Sequence, residues 1–393
     1  MESTNEKQIQ EVTNHNVLHI ITVSFVINHF FGNQFNYLQK KTGNNYFLGC
    51  SASEEFLNLS ESLNYKTFPV EVTRSINPLE DLKAIFKIYR FIKREKIVKV
   101  IGHTPKGGMV AMIASYIAGV KERIYFRHGI IYETSTGIKR LLLKNIDRFS
   151  GSLATKVVCV SNSVKEISIK DNLNNPNKNI VLGIGTCNGI DTEEKYNPNT
   201  YDEVKRLILK QSLNIKEDDI VIGYVGRLVK DKGINELIVA WNILEKKYHN
   251  IKLLLVGPIE SRDSISEISK KEININSNII NTGFVLHSSP YFSIMDIFIL
   301  PTYREGFPTV SLEASSMEVP VIISKATGCE ESIIENQTGM FIKNDPNDIA
   351  EKIEKYIKNE NLRKQHGKAG RIFVQNNFEQ TKIWDLIIKK LNY

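Results

Sequence analysis

Short apolar runs alternate along this chain with longer stretches in which apolar residues recur every three or four positions. Val17–Val26, Asn45–Gly49, Val98–Gly102, Arg123–Phe126, Lys156–Val160 and Asn179–Leu182 read as buried strands. Between the second and third, residues 81–96 carry Leu82, Ile85, Phe86, Tyr89 and Ile92 at helical spacing, which predicts an amphipathic helix with those side chains inward. The stretch Asn188–Asn199, with Gly189, Pro198 and several Asn and Asp residues, reads as a linker. The pattern then restarts with strands at Asp219–Val225, Lys252–Val256, Ile279–Thr282, Ile297–Leu300 and Val321–Ser324. A last helical segment, Phe378–Tyr393, has Ile383, Leu386, Ile387 and Leu391 on one side. Repeated strand–helix alternation predicts parallel sheets covered by helices on both faces. The expected division is residues 1–195, 196–377 and a terminal helix at 378–393.

Length and composition narrow the picture. At 393 residues two domains are expected, and 41% hydrophobic content supports packed cores. The polar start, Met1 to Asn16, has no basic-then-apolar signal pattern. The longest apolar run, Val17 to Ile27, includes His19, Thr22 and Ser24 and is too short for a membrane span. Cys50, Cys159, Cys187 and Cys329 lack C-x-x-C spacing and read as reduced thiols of a cytoplasmic protein. The net charge of +7 is uneven: residues 1–200 hold 25 Lys and Arg against 18 Asp and Glu, while the remainder balances. An anionic partner on the first domain is expected. Zinc-finger, helix-turn-helix and RNP patterns are absent, so a membrane surface or a lipid-linked diphosphate is favoured over nucleic acid.

The chemistry concentrates after Asp296–Pro301, a strand ending at a proline. There Glu305 and Glu313 stand with seven residues between them in Tyr303-Arg-Glu-Gly-Phe-Pro-Thr-Val-Ser-Leu-Glu-Ala314. Pro308 suits a first helical turn, so Glu305 falls on a loop and Glu313 within the helix. The backbone N–H groups across Gly306, Phe307, Pro308, Thr309 and Val310 then form a site for an anion, flanked by carboxylates. A diphosphate joined to hydroxyl-rich sugars fits it. Arg227 and Lys232 lie on the loop after another strand, at the sheet edge where doubly wound folds bind ligands. One offers a planar fork and the other a mobile point charge for phosphate oxygens.

These pieces together resemble the large retaining glycosyltransferase family 4, of the bacterial capsular or surface polysaccharide type. The segment around Glu305 and Glu313 looks like its E-x7-E motif. Ile222–Gly233 is similar to its Arg/Lys diphosphate segment. His103-Thr-Pro-Lys-Gly-Gly108 and Arg127-His-Gly129 resemble its N-terminal signatures, and Asn188-Gly-Ile-Asp191 the segment leading into the linker. The resemblance implies a GT-B fold, two facing Rossmann-like domains with a C-terminal helix crossing back to the first. The first domain would take the acceptor and the second the nucleotide sugar.

By the same resemblance Glu305 holds hydroxyls of the donor sugar, Glu313 those of the ribose, and His128 stands beside the donor sugar. His103 is expected to line the cleft or to be structural. Lys106, Gly107 and Gly108 are candidates for an anionic acceptor. Gly32 and Asn33 occupy the position of the family's glycine-rich loop, although Phe30-Phe31 and a single Gly32 replace its Gly-Gly form. The expected donor is a UDP-sugar ahead of GDP-mannose, and the acceptor a lipid-linked or growing glycan. No metal or cofactor is expected, since two cations already face the diphosphate and the other histidines lack ligand spacing. Lys83, Lys87, Arg90 and Arg94 form a basic stripe, either a solvated outer face or a contact for anionic headgroups, and the second reading places the enzyme at the inner face of the plasma membrane. Competing readings are a non-catalytic nucleotide-sugar-binding protein, a transferase acting on a soluble acceptor, and a glycosidase. A dehydrogenase lacks support, because no Gly-x-Gly-x-x-Gly turn follows the first strand.

Overall fold

A computed structural model describes residues 14–73 and 77–393; most of the polar start lies outside this range. Seven strands form the first sheet: β1 (Asn16–Ile20), β2 (Asn45–Cys50), β3 (Lys66–Pro69), β4 (Lys99–His103), β5 (Glu122–Arg127), β6 (Lys156–Cys159) and β7 (Asn179–Ile180). Six form the second: β8 (Ile220–Val225), β9 (Ile251–Val256), β10 (Ile279–Gly283), β11 (Ile297–Leu300), β12 (Val321–Ser324) and β13 (Gly339–Ile342). The orders are β3-β2-β1-β4-β5-β6-β7 and β10-β9-β8-β11-β12-β13, with every pairing parallel. β11 and β12 are buried at every residue, as expected of sheets covered on both faces. This is the two-domain α/β architecture the alternation predicts.

Two strands escape the sequence pattern. β3 is an edge strand with Lys66 exposed and Pro69 at its end, so only one side is apolar. β13 opens with Gly339, whose close approach to the Val321 carbonyl leaves no space for a side chain. The first strand is also shorter than predicted. It stops at Ile20, and Ser24–Val26 and Ile27–Phe30 coil into short helical turns.

The helix at 81–96 is Pro78–Arg94, capped by the Asn77 side chain, and its inward face differs from the predicted one. Ala84, Ile88, Phe91 and Ile92 are buried, whereas Leu82 and Phe86 are 63% and 60% exposed. Buried Asp81 fixes the rotation by pairing with Lys106 on the neighbouring helix Pro105–Ile117. Leu82 and Phe86 thus share the outer face with Lys83, Lys87, Arg90 and Arg94. The helix Gly137–Leu153 likewise exposes Ile138, Leu141, Leu142 and Phe149. No helix is long and apolar enough to cross a membrane, among the described residues.

The terminal helix, Gln380–Leu391, packs on the first domain. Ile383, Trp384, Ile387 and Leu391 share a core with Val17, Phe31, Phe35 and Tyr46. Trp384 donates to Asn188 (2.8 Å), and Lys99 donates to the carbonyls of Leu391 and Asn392 (both 2.7 Å).

Helix Pro105–Ile117 sits tight on the sheet because it carries glycines where it crosses β4 and β5. A Cβ on Gly108 would overlap the fully buried ring of Tyr125. Overfilling such a contact costs about 1–3 kcal/mol. Gly108→Ala should lower the unfolding free energy in urea by that amount without altering secondary structure. An unchanged midpoint would show the Tyr125 ring yields freely.

Candidate functional site

β8 and β11 are neighbours, so the loops leaving their carboxyl ends lie side by side. The first runs through Gly226 and Arg227 to a single turn at Lys230–Lys232. Gly233, at φ 69°, then starts the helix Ile234–Glu245 with its α-carbon against the Pro301 carbonyl, where no other residue fits. The second loop runs from Pro301 to Pro308 and enters the helix Thr309–Ser316. This geometry brings the Lys232 ammonium onto the Glu305 carboxylate, both largely sheltered. Arg227 remains half exposed and bonds Glu260 at 3.0 Å. Glu313 is 7% exposed within its helix, and burial first and the Glu313 charge second hold the Tyr196 hydroxyl well above its ordinary pKa.

The expected fan of N–H groups is narrower than the sequence implies. Pro308 has none and caps the helix rather than entering it, and the Thr309 N–H bonds the Phe307 carbonyl at 3.0 Å. Gly306, Phe307 and Val310 supply what is left for a ligand. Phe307 has a second role: its ring fills the space above Gly185 of the first domain and packs on Phe378.

Opposite these loops stands the carboxyl edge of the first sheet. His128 follows β5 directly, and its carbonyl touches Gly306 so closely that a Cβ there has no room. Further contacts bind the two edges around this point. Arg304 donates to Thr134 (3.0 Å), Thr327 to Glu133 (2.6 Å), and the Ser163 N–H to Glu331 (2.7 Å).

His103 is buried, with His19 on one side and His128 on the other. Phe30 stacks on His128 at 4.1 Å, Phe126 on His103 at 4.8 Å, and Phe31 meets His103 edge-on. The Phe30-Phe31 pair that departs from the family's glycine-rich form is therefore the aromatic packing of these rings. Burial lowers the pKa of His19 and His128 to about 3, and holds His103 well below its ordinary value.

Gly32 turns with φ 46° beside Asn188, and Asn33 faces solvent. From the same loop it is His29 that comes within electrostatic range of Glu313 and Glu305. Desolvation lowers its pKa, and the Glu313 charge opposes the shift. His29 and His19 were invisible as site residues because neither falls in a motif; the one clue is that His29 immediately precedes Phe30. Lys106, Gly107 and Gly108 do not form an anion site. Lys106 is held by Asp81, the Gly107 N–H bonds Thr104 (3.3 Å), and Gly108 is packing. No three His, Cys, Asp or Glu side chains gather as a metal set among the described residues.

The fold and these two facing edges define a glycosyltransferase, and comparison with known proteins places the chain among them. Residues 205–373 match the model of the glycosyl transferases group 1, and residues 19–161 that of the glycosyl transferase 4-like family. The chain is 36% identical over 374 residues to the capsular polysaccharide biosynthesis glycosyltransferase CapM of Staphylococcus aureus, covering 95% of each. It is 28% identical over 281 residues, 70% of each chain, to a UDP-Gal:alpha-D-GlcNAc-diphosphoundecaprenol alpha-1,3-galactosyltransferase of Escherichia coli. Among solved structures it resembles Anabaena Alr3699/HepE in complex with UDP-glucose, with TM-score 0.79 at 18% identity over 96% of this chain and 99% of that one. The chain belongs to the group 1, family 4-type glycosyltransferases and has their GT-B fold.

The buried imidazoles make stability depend on pH with a definite sign. In the unfolded chain His19 and His103 bind protons near pH 6.5, whereas the folded chain keeps them neutral. The unfolded state gains protons first as pH falls, so stability is lost below 6.5. Between pH 6 and 5 each ring that stays neutral in the fold contributes a loss of roughly 1 kcal/mol per unit. Urea unfolding across that interval should show it, and a flat profile would mean the rings are hydrated.

Proposed function

We propose that this enzyme transfers a sugar from a UDP-linked donor to a lipid-diphosphate-linked glycan during surface polysaccharide synthesis, with retention of anomeric configuration. The observation that carries the reading is the grouping of Lys232, Glu305, Arg227 and Glu313 on one sheet edge, facing His128 on the other. The relatives named above support it: one acts in capsular polysaccharide biosynthesis, another uses UDP-Gal and a diphosphoundecaprenol acceptor.

In this scheme the nucleotide lies along the second domain, with its ribose hydroxyls donating to Glu313. The diphosphate sits between Arg227, Lys232 and the N–H groups of Gly306, Phe307 and Val310. Charge builds on the departing phosphate as the glycosidic bond breaks, and the two fixed cations stabilise it more in the transition state than in the ground state. No divalent cation is required for that step. Lys232 reaches the phosphate from its seat on Glu305, which leaves that carboxylate one lysine contact and one free edge for sugar hydroxyls. His128 borders the sugar from the first domain.

The acceptor side follows from surface chemistry. The outer face of Pro78–Arg94 combines Leu82 and Phe86 with Lys83, Lys87, Arg90 and Arg94, and Gly137–Leu153 adds Ile138, Leu141, Leu142 and Phe149. Apolar side chains interleaved with cations suit an anionic bilayer, so the enzyme works as a peripheral protein at the cytoplasmic face where lipid-linked acceptors are found.

The test is transfer from a panel of UDP- and GDP-sugars to a synthetic polyprenyl-diphosphate sugar on vesicles. Arg227→Ala and Lys232→Ala should each lower turnover by about 10²–10³, the range for losing one such charge, and EDTA should leave wild-type turnover unchanged. Near-normal rates in both variants would remove the diphosphate assignment. Restoration of an EDTA-treated enzyme by Mg²⁺ would overturn the metal-free scheme.

A further inference from the structure

Three histidines on three adjacent strands form one hydrogen-bonded row through the first domain. His19 lies on β1, His103 ends β4, and His128 follows β5. In the parallel register His19 pairs with Ile101 and His103 with Phe126, so each histidine stands two residues beyond its predecessor. A two-residue step keeps all three on one face of the sheet and climbs toward the cleft. His19 Nδ1 and His103 Nε2 are 3.1 Å apart, as are His103 Nδ1 and His128 Nε2. At the far end the Tyr393 hydroxyl is 3.4 Å from His19 Nε2. His128 Nδ1 alone among the six ring nitrogens has no protein partner among the described residues.

A neutral imidazole carries one ring hydrogen, on one nitrogen or the other. Each link between two rings needs one hydrogen: with none, two lone pairs face each other, and with two, the hydrogens clash. For three neutral rings in a row only two arrangements satisfy both links. Either every ring carries its hydrogen on Nδ1, or every ring carries it on Nε2. The tautomer of His128 is therefore tied to that of His19, two strands away.

We propose that Tyr393, His19 and His103 are positioning residues that hold His128 as its Nδ1–H tautomer, presenting a hydrogen-bond donor to the ligand in the cleft. Two features select this direction. A phenol hydroxyl is a strong donor, and donation from Tyr393 to His19 Nε2 forces the Nδ1–H form along the row. The Lys99 ammonium lies 4.0 Å from the Tyr393 ring, and although Glu122 pairs with it at 2.9 Å, it places positive charge at that end. At the cleft end Glu305 is already paired with Lys232. The Lys99 charge favours hydrogens displaced toward the cleft. The rings stay neutral because they are buried among Phe30, Phe31, Phe35 and Phe126. A donor at His128 would bind a hydroxyl oxygen of the transferred sugar, a use that rests on the proposed function.

The test reads the tautomer directly in the ligand-free protein, by long-range ¹H–¹⁵N correlation on ¹⁵N-histidine-labelled enzyme. The wild type should show His128 in the Nδ1–H form. Tyr393→Phe removes only the hydroxyl and should shift His128 toward Nε2–H; His103→Phe should uncouple it from His19. His103→Gln, which can donate and accept, should restore part of the bias. Each loss of bias should lower turnover at least severalfold. A His128 tautomer that is Nε2–H in the wild type, or that is the same in wild type, Tyr393→Phe and His103→Phe, overturns the proposal. The spectra need no sugar nucleotide, so a failed transfer assay with the expected tautomer shifts would count against the proposed function and not against the row.

Discussion

The cleft exists because two backbones meet without a side chain between them. Gly306 leaves its loop directly against the carbonyl of His128, and Gly129 approaches Gly306 from the other side. Any Cβ at position 306 would force the two sheet edges apart, and with them Glu305 from the histidine row. Around that point the polar contacts Arg304–Thr134, Thr327–Glu133 and Ser163–Glu331 add direction, each joining one domain to the other. Such small, largely polar contacts suit surfaces that separate and re-form, since they bury little apolar area.

The first domain holds its half of the meeting place rigidly. Arg127, the residue before His128, is fully buried and bonds Asp147 through two nitrogens (3.1 and 3.0 Å), with Ser168 (2.6 Å) and Asn174 (2.9 Å) on its third. A buried charge with all three nitrogens bonded fixes direction more than it adds stability, because removing water from it offsets much of the attraction. Its position is what matters: one residue from the contact with Gly306, it anchors the end of β5. The second domain holds its half more loosely. Arg227 leans on half-buried Glu260, and Lys232 on Glu305, so the cations that would meet a diphosphate are already paired and can exchange partners.

Much of this was legible in the sequence, for reasons that can be named. Buried parallel strands read as continuous apolar runs, and loops at their carboxyl ends carry the chemistry; together these led to Glu305, Glu313, Arg227 and Lys232. What stayed hidden depends on relations between strands. The three-histidine row requires the register of β1, β4 and β5, which no local pattern encodes. The rotation of Pro78–Arg94 was misread because its apolar residues outnumber one face, and a buried Asp81–Lys106 pair chose which of them turn inward. Lys106 itself looked like an anion ligand because its partner is 25 residues away.

The last helix has a consequence for how the chain is made. Val17, Phe35 and Tyr46 are synthesised more than 300 residues before the side chains that cover them, Ile383, Trp384, Ile387 and Leu391. The second domain carries its own separate core and can close earlier. The first domain is thus completed only after the second has been made, with part of one core open until then. A nonsense mutation a dozen codons before residue 393 would spare every residue assigned to the nucleotide and still leave the opposite domain unfinished.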